Sequence, residues 1–403
     1  MKQILLLLFS FIYLVGFGQL NFDRSNQLLW EISGKNLKNP SYVLGTIHLN
    51  SPKLFNFSDS VYYAFCNTEV FSPEVDIHEI YQFYTTPLNY NLLVDANGRI
   101  YSRSAVTNMS YYGSNKGHPQ FLDAYFFQIA TNSNKRVIPL ETIDDQLSAF
   151  QSIVFSDYQR SSSFSENDLL SVYLTGNLFK LQHIVYQGFT GSNGYETIII
   201  DRNLKMANTI DSIMQKATTF VAVGAGHLPG KYGVLNSLRQ KGYSIRPVET
   251  SFTQAFEGEK KFFKSNQSYW HKDTLLNFTI RFGVKPLIKQ DNCTVRLESR
   301  DLGQGNVYIL EVEELPRGSY QVNSYLKENF FQPVNASIET RTLNNDTIYE
   351  GIVSVEEYGL CWKRIIFHEG YLYKLTCSGS LPFLTSNRPM DFFNGLQFHS
   401  NND

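Results

Sequence analysis

Apolar positions come first: no charged residue interrupts Ile4 to Phe17, and Lys2 stands just ahead of them. The run is shorter than the ~20 apolar residues that span a bilayer core. It closes at Gly16 and Gly18, small residues spaced as a signal peptidase site requires. The pattern predicts a signal peptide over residues 1–19, cut after Gly18 or Gln19, and an exported protein in the periplasm, at the cell surface or in the medium. No later stretch is long and apolar enough for a membrane span in the mature chain.

Short apolar runs and helical spacings then alternate. Leu28–Ile32 and Ser41–Leu44 read as strands, and Thr68–Asp76 as a further β segment. His118–Thr131 reads as a helix and Val137–Leu140 as a strand closed by Glu141. Ser165 with Asp168 forms a capping-box start, after which Leu170, Tyr173, Leu174, Leu178, Leu181 and Val185 recur at helical spacing. Thr197–Ala217 does likewise, with Leu204, Ala207, Ile210, Met214 and Ala217 on one stripe. Thr219–Val223 is a buried strand, Gly233–Lys241 a helix with Gly242 at its C-cap, and Tyr243–Val248 a strand. Alternation of this kind predicts an α/β domain.

The pattern changes past the charged run Glu257–Lys261. Strands are expected at residues 293–299, 307–313, 336–342, 347–353, 362–368 and 371–377, with a turn at Asn344-Asn345-Asp346 and one helix near Ser319–Glu328. The organisation expected is a signal peptide at 1–19, an α/β domain at 20–256, a boundary at 257–290 and a smaller α+β, β-rich domain at 291–403.

Charge removes one function class. With 35 Lys and Arg against 37 Asp and Glu, the formal net charge is −2, and nothing builds the basic field that nucleic acid requires. The 4 cysteines include no Cys-x-x-Cys pair, so neither a zinc knuckle nor a disulfide scaffold is indicated. Cys361 and Cys377 flank a hairpin turning at Glu369-Gly370. A two-residue turn sets Trp362 opposite Cys377 and sends Cys361 to the other face. Either a bulge permits a disulfide or both thiols are reduced and buried.

The candidate chemistry lies in two matching segments, Val43-Leu44-Gly45-Thr46-Ile47-His48-Leu49 and Ala222-Val223-Gly224-Ala225-Gly226-His227-Leu228. In each, a buried strand ends in a Gly that permits a tight turn. A His then follows at the carboxyl edge, where α/β sheets hold ligands. Two imidazoles brought together this way are natural metal ligands. Glu74, after a third strand, can complete a metal site or act as a base on bound water; Asp76 and Glu69 are rivals. Glu141 sits just past another strand, and Arg202 with Asn203 opens the helix before the second motif. Arg202 suits an oxyanion or a substrate carboxylate.

These residues resemble the TraB/GumN family, which includes the Tiki-type metalloproteases that act on Wnt proteins. The resemblance runs in order from about Gln27 to about Thr250, through Pro40–Leu49, Leu140-Glu141-Thr142 with Gln146, Asp201-Arg202-Asn203 and Phe220–Gly230. It implies an erythromycin-esterase/ChaN-like core with helical insertions. It also implies a site of His48, His227 and an acid in the place of Glu74, with Arg202 matching the family's Arg. A divalent ion such as manganese or cobalt and a peptide or protein substrate follow from the Tiki-type members. A metal-free esterase-like hydrolase and a haem- or metal-binding protein stand as alternatives, since relatives of the fold include both.

Overall fold

Two units make up the chain, one of residues 1–80 and 121–264, the other of 81–120 and 265–403. The structure, a computed structural model, describes residues 26–49, 51–79, 92–94, 100–102, 121–146, 148, 165–186, 196–253, 255–291, 294–302, 305–314, 339–343, 346–355 and 359–399. The leader at 1–19, Cys293, the turn residues Asn344 and Asn345 and the helix expected near Ser319–Glu328 lie outside them.

The first unit is a six-stranded mixed sheet with helices. Its strands are β1 (Leu29–Gly34), β2 (Ser41–Thr46), β3 (Val70–Pro73), β4 (Arg136–Val137), β5 (Thr219–Gly224) and β6 (Tyr243–Pro247), in the order β4-β3-β5-β2-β1-β6. β5 runs parallel to both neighbours, pairing Phe71 with Phe220 on one side and Val43 with Val221 on the other. Buried on both faces, it reads as the unbroken apolar run Phe220-Val221-Ala222-Val223. β1 and β6 extend the sheet antiparallel.

The helices of this unit are α1 (Asp59–Cys66), α2 (Leu122–Asn132), α3 (Glu166–Leu174), α4 (Leu178–Tyr186), α5 (Arg202–Met214), α6 (Val234–Gln240) and α7 (Glu257–Ser265). Phe57, Phe65, Phe71, Phe126, Phe220 and Phe263 form one aromatic cluster from α1, α2, α7 and the sheet. Such rings contribute large buried areas in tilted and edge-on pairs.

Two helical expectations need correcting. The spacing from Leu170 to Val185 is shared by two helices, α3 and α4, which part at Gly176 (φ +69°), a conformation that favours glycine. A Cβ there would also meet the Asn26 carbonyl oxygen at 2.5 Å. The capping box of Ser165 and Asp168 is formed. In the second case a π-helical turn, Glu196–Asp201, precedes α5. The buried face of α5 is carried by Asn203, Met206, Ala207, Ile210, Ile213 and Met214, and Leu204 is 53% exposed. A polar residue, Asn203, occupies the inward position that the stripe assigned to an apolar one.

The second unit is β-rich. Residues 257–290, read from the sequence as a boundary, contain α7 and the strands β7 (Tyr269–Asp273), β8 (Phe278–Phe282) and β9 (Leu287–Gln290). With β10 (Thr294–Arg300), β11 (Val307–Glu314), β12 (Glu339–Leu343), β13 (Asp346–Val355), β14 (Gly359–His368) and β15 (Tyr371–Ser378), β9 forms an antiparallel sheet in the order β9-β10-β11-β15-β14-β13-β12. Phe278, Phe282, Phe383, Phe392 and Phe393 join Leu297, Leu310, Ile366 and Leu375 in its core.

The β14–β15 hairpin turns at Glu369 (φ +46°) and Gly370 (φ +86°), as a tight hairpin demands. Trp362 pairs with Cys377, while Cys361 pairs with Ser378, and both cysteines are free and buried. The alternative realised is two thiols. Alkylation of the unfolded, unreduced protein followed by mass mapping should find label on both Cys361 and Cys377; a peptide linked between them would contradict the structure.

Candidate functional site

The parallel pairing of β5 with β2 and β3 ends three strands at one edge. His48 lies two residues past β2, Glu74 directly follows β3, and His227 closes a single 3-10 turn, Ala225–His227, after β5. Gly45 allows that turn to pack against β2: a Cβ there would stand 3.0 Å from both Ala225 Cβ and Leu228 Cδ1. The Gly45 and Gly226 carbonyls accept hydrogen bonds from the Tyr173 hydroxyl (2.7 Å) and the Tyr186 hydroxyl (2.6 Å).

Glu74 is held on two sides. Its Oε1 accepts the Gly224 N–H at 2.6 Å, and its Oε2 accepts from Arg202 Nη2 at 3.3 Å. A Cβ on residue 224 would approach that Oε1 to 3.1 Å, so the glycine gives the carboxylate its seat. Burial alone would raise the Glu74 carboxyl, but His227, Arg202, His48 and the Gly224 N–H outweigh it and hold it down at about 2. The rivals stand elsewhere. Glu69 is exposed at the start of β3, on Thr218, and Asp76 caps a turn through the His78 N–H.

Arg202, at the first position of α5, is buried between two carboxylates. Its Nε donates to both Glu141 oxygens at 3.1 Å, and its Nη2 donates to Glu141 at 2.7 Å and to Glu74. Gln146 Nε2 donates to Glu141 at 3.1 Å. Burial pushes Glu141 up against the opposing pull of Arg202. The guanidinium is therefore committed to these two acids, which differs from the oxyanion or substrate contact expected of it.

Asn203 fixes the second histidine. Its Oδ1 is 2.6 Å from His227 Nδ1, and its Nδ2 donates to the Tyr232 carbonyl at 2.8 Å. With Nδ2 committed as donor, Oδ1 accepts, so His227 carries its proton on Nδ1 and turns an unprotonated Nε2 outward. Burial lowers His227 to about 4, against the pull of Glu74, and the imidazole is neutral near pH 7.

Asp123 was missed in the sequence. It lies in the first turn of α2, buried, with Oδ1 accepting from the Thr46 hydroxyl at 2.9 Å and Oδ2 3.5 Å from His48 Nε2. Thr46 belongs to the first Gly-x-x-His segment. A signal was present: α2 buries nearly every residue, so an acid within Phe121-Leu122-Asp123-Ala124-Tyr125-Phe126 is out of place unless it is held.

The donors suit a divalent cation in kind: two imidazoles, one neutral with its far nitrogen anchored, an anionic Glu74, and a buried Asp123 oxygen lacking a hydrogen-bond partner among the described residues. Their positions do not close around one point. Among the described residues no group of three or more His, Cys, Asp or Glu side chains is arranged to hold a metal ion.

Two outcomes follow. Arg202→Met leaves Glu141 and Glu74 buried without their cation, and should lower the unfolding free energy by about 3–5 kcal/mol in urea denaturation. Acid acts through His227. Its folded value of about 4 lies below the ordinary 6.5, so stability is full above about 6.5 and is lost as pH falls towards about 4. Glu74, at about 2 against 4.5, adds loss in the same direction below about 4.5. The urea midpoint should fall between pH 7 and pH 4.5 in the wild type and fall less in His227→Gln; equal falls would exclude the buried neutral imidazole.

Comparison with known proteins bears on the first unit. No curated protein matches the chain. Among solved structures it is similar to cyanobacterial PsbP (CyanoP) from Synechocystis sp. PCC 6803, at 12% identity and a TM-score of 0.27, over 33% of this chain and 93% of that one. That likeness is too weak to bear on the fold. The TraB/PrgY/gumN family matches residues 101–247, which carry Asp123, Glu141, Arg202, Asn203 and the second Gly-x-x-His segment. Through those residues the chain is identified with the TraB/PrgY/gumN family.

Proposed function

We propose that this protein is an exported metal-dependent hydrolase of peptides or proteins, built on an erythromycin-esterase/ChaN-like core, with His48, His227 and Glu74 holding a divalent ion such as manganese or cobalt. The observation that carries the reading is His227, a buried neutral imidazole anchored through Nδ1 by Asn203 beside the carboxylate of Glu74. Such an anchor on the far nitrogen is how proteins orient a ligating histidine. Family membership supports the same reading.

A divalent ion at this edge would lower the pKa of a bound water towards ~7 and polarise a scissile carbonyl. The chain's own residues divide the remaining work. Glu74, seated on the Gly224 N–H and Arg202, supplies a fixed negative charge; held at about 2, it is a weak proton acceptor. Arg202 positions Glu74 and neutralises Glu141. Phe121, whose ring lies 5.0 Å from that of His48, limits the directions that the first imidazole can take.

The test is metal counting joined to turnover. Chelator-stripped protein lacking residues 1–19 is given manganese, cobalt or zinc, and bound metal is measured by mass spectrometry. About one ion per wild-type chain is expected, lost in His48→Ala and His227→Ala together with hydrolysis of a peptide library. Wild-type protein that binds none of the metals, or hydrolysis that persists under strong chelation, would exclude the proposal.

A further inference from the structure

We infer that Asp123 is a ligand of the same ion, its Oδ2 paired with His48 Nε2 and its Oδ1 anchored by Thr46; this rests on the metal reading above. The carboxylate is 5% exposed, and its two oxygens differ in kind. Oδ1 accepts the Thr46 hydroxyl at 2.9 Å. Oδ2 is buried with no hydrogen-bond partner among the described residues and is directed at His48 Nε2, 3.5 Å away.

That distance is long for a hydrogen bond from a ring N–H, which centres near 2.9 Å. It fits two donors on one ion. Atoms about 2.1 Å from a common metal stand about 3.0 Å apart at a right angle and about 3.4 Å apart at a tetrahedral angle. A buried carboxylate oxygen left unpaired is costly unless a cation is its partner.

The surroundings hold the oxygen in place. Asp123 sits in the first turn of α2, where the helix dipole favours negative charge. Thr46 is the last residue of β2 and is itself fully buried. One strand end therefore supplies His48 as a donor and, through Thr46, orients the acid beside it. This explains the residue between Gly45 and His48 that the motif alone leaves unassigned. Asp123 is thus a second carboxylate of the centre, separate from Glu74, which Arg202 and Gly224 restrain.

Manganese titration, followed by the loss of the free-ion electron paramagnetic resonance signal, tests this without reference to turnover. Wild type, Asp123→Asn, Asp123→Glu, Thr46→Val and His48→Ala are compared, each with a metal-free melting curve. Asp123→Asn should weaken manganese binding at least ~10-fold, Thr46→Val should weaken it less, and Asp123→Glu should retain part of it. Metal-free Asp123→Asn should melt at or above the wild-type temperature, since an unpaired buried charge has been removed. Binding lost in His48→Ala but intact in Asp123→Asn would overturn this inference alone. No binding by the wild type would overturn it together with the metal reading. A marked fall in the melting temperature of metal-free Asp123→Asn would make the carboxylate structural and would also overturn it.

Discussion

The parallel pairing of β5 with both of its neighbours is the constraint on which the site depends. Parallel strands point their carboxyl ends the same way, so a sheet with β5 between β2 and β3 brings three loop starts to one edge. His48, Glu74 and His227 are more than a hundred residues apart at the extremes, yet each needs only the first few positions after its strand. The phenylalanine cluster on one face, with Met206, Ala207 and Ile210 of α5 among the buried residues, fixes that pairing by making β5 apolar throughout.

Charge is distributed by burial as much as by proximity. Arg202 lies between Glu141 and Glu74, and the two acids respond differently. Glu141 receives the guanidinium most directly, yet burial still drives it up. Glu74 adds the Gly224 N–H and two imidazoles to a shared Arg202 and is driven down. The site can therefore keep one acid charged under all ordinary conditions. A single guanidinium would not do this for both.

The two Gly-x-x-His segments are alike in sequence and unlike in surroundings. His227 is buried, neutral and locked through Asn203. The His48 side chain is 44% exposed and has Phe121 and Asp123 of the α2 start as neighbours. The pairing register contributes to the difference: Gly45 lies opposite Val223, one position out of step with Gly224. One imidazole is thus a fixed point and the other an accessible one, an arrangement suited to a centre that must admit a substrate at one side.

Much of this was legible in the sequence. The strand–Gly–x–x–His segments, the strand before Glu74, Arg202 with Asn203 at a helix start and the change to antiparallel strands after residue 256 all follow from local apolar periodicity and turn chemistry. Local pattern also set the Trp362–Cys377 register, because a two-residue turn leaves no freedom in it. What it could not supply were pairings between distant residues. That Arg202 binds two acids, that Asn203 serves His227, and that Asp123 comes beside His48 depend on which helix packs over which strand end, and no spacing along the chain encodes that. The sequence by itself determined the elements and the residue types available for chemistry, since those are properties of neighbouring positions. Only the tertiary structure decided which of those residues share a site and in what charge state, since both depend on burial and on contacts across the fold.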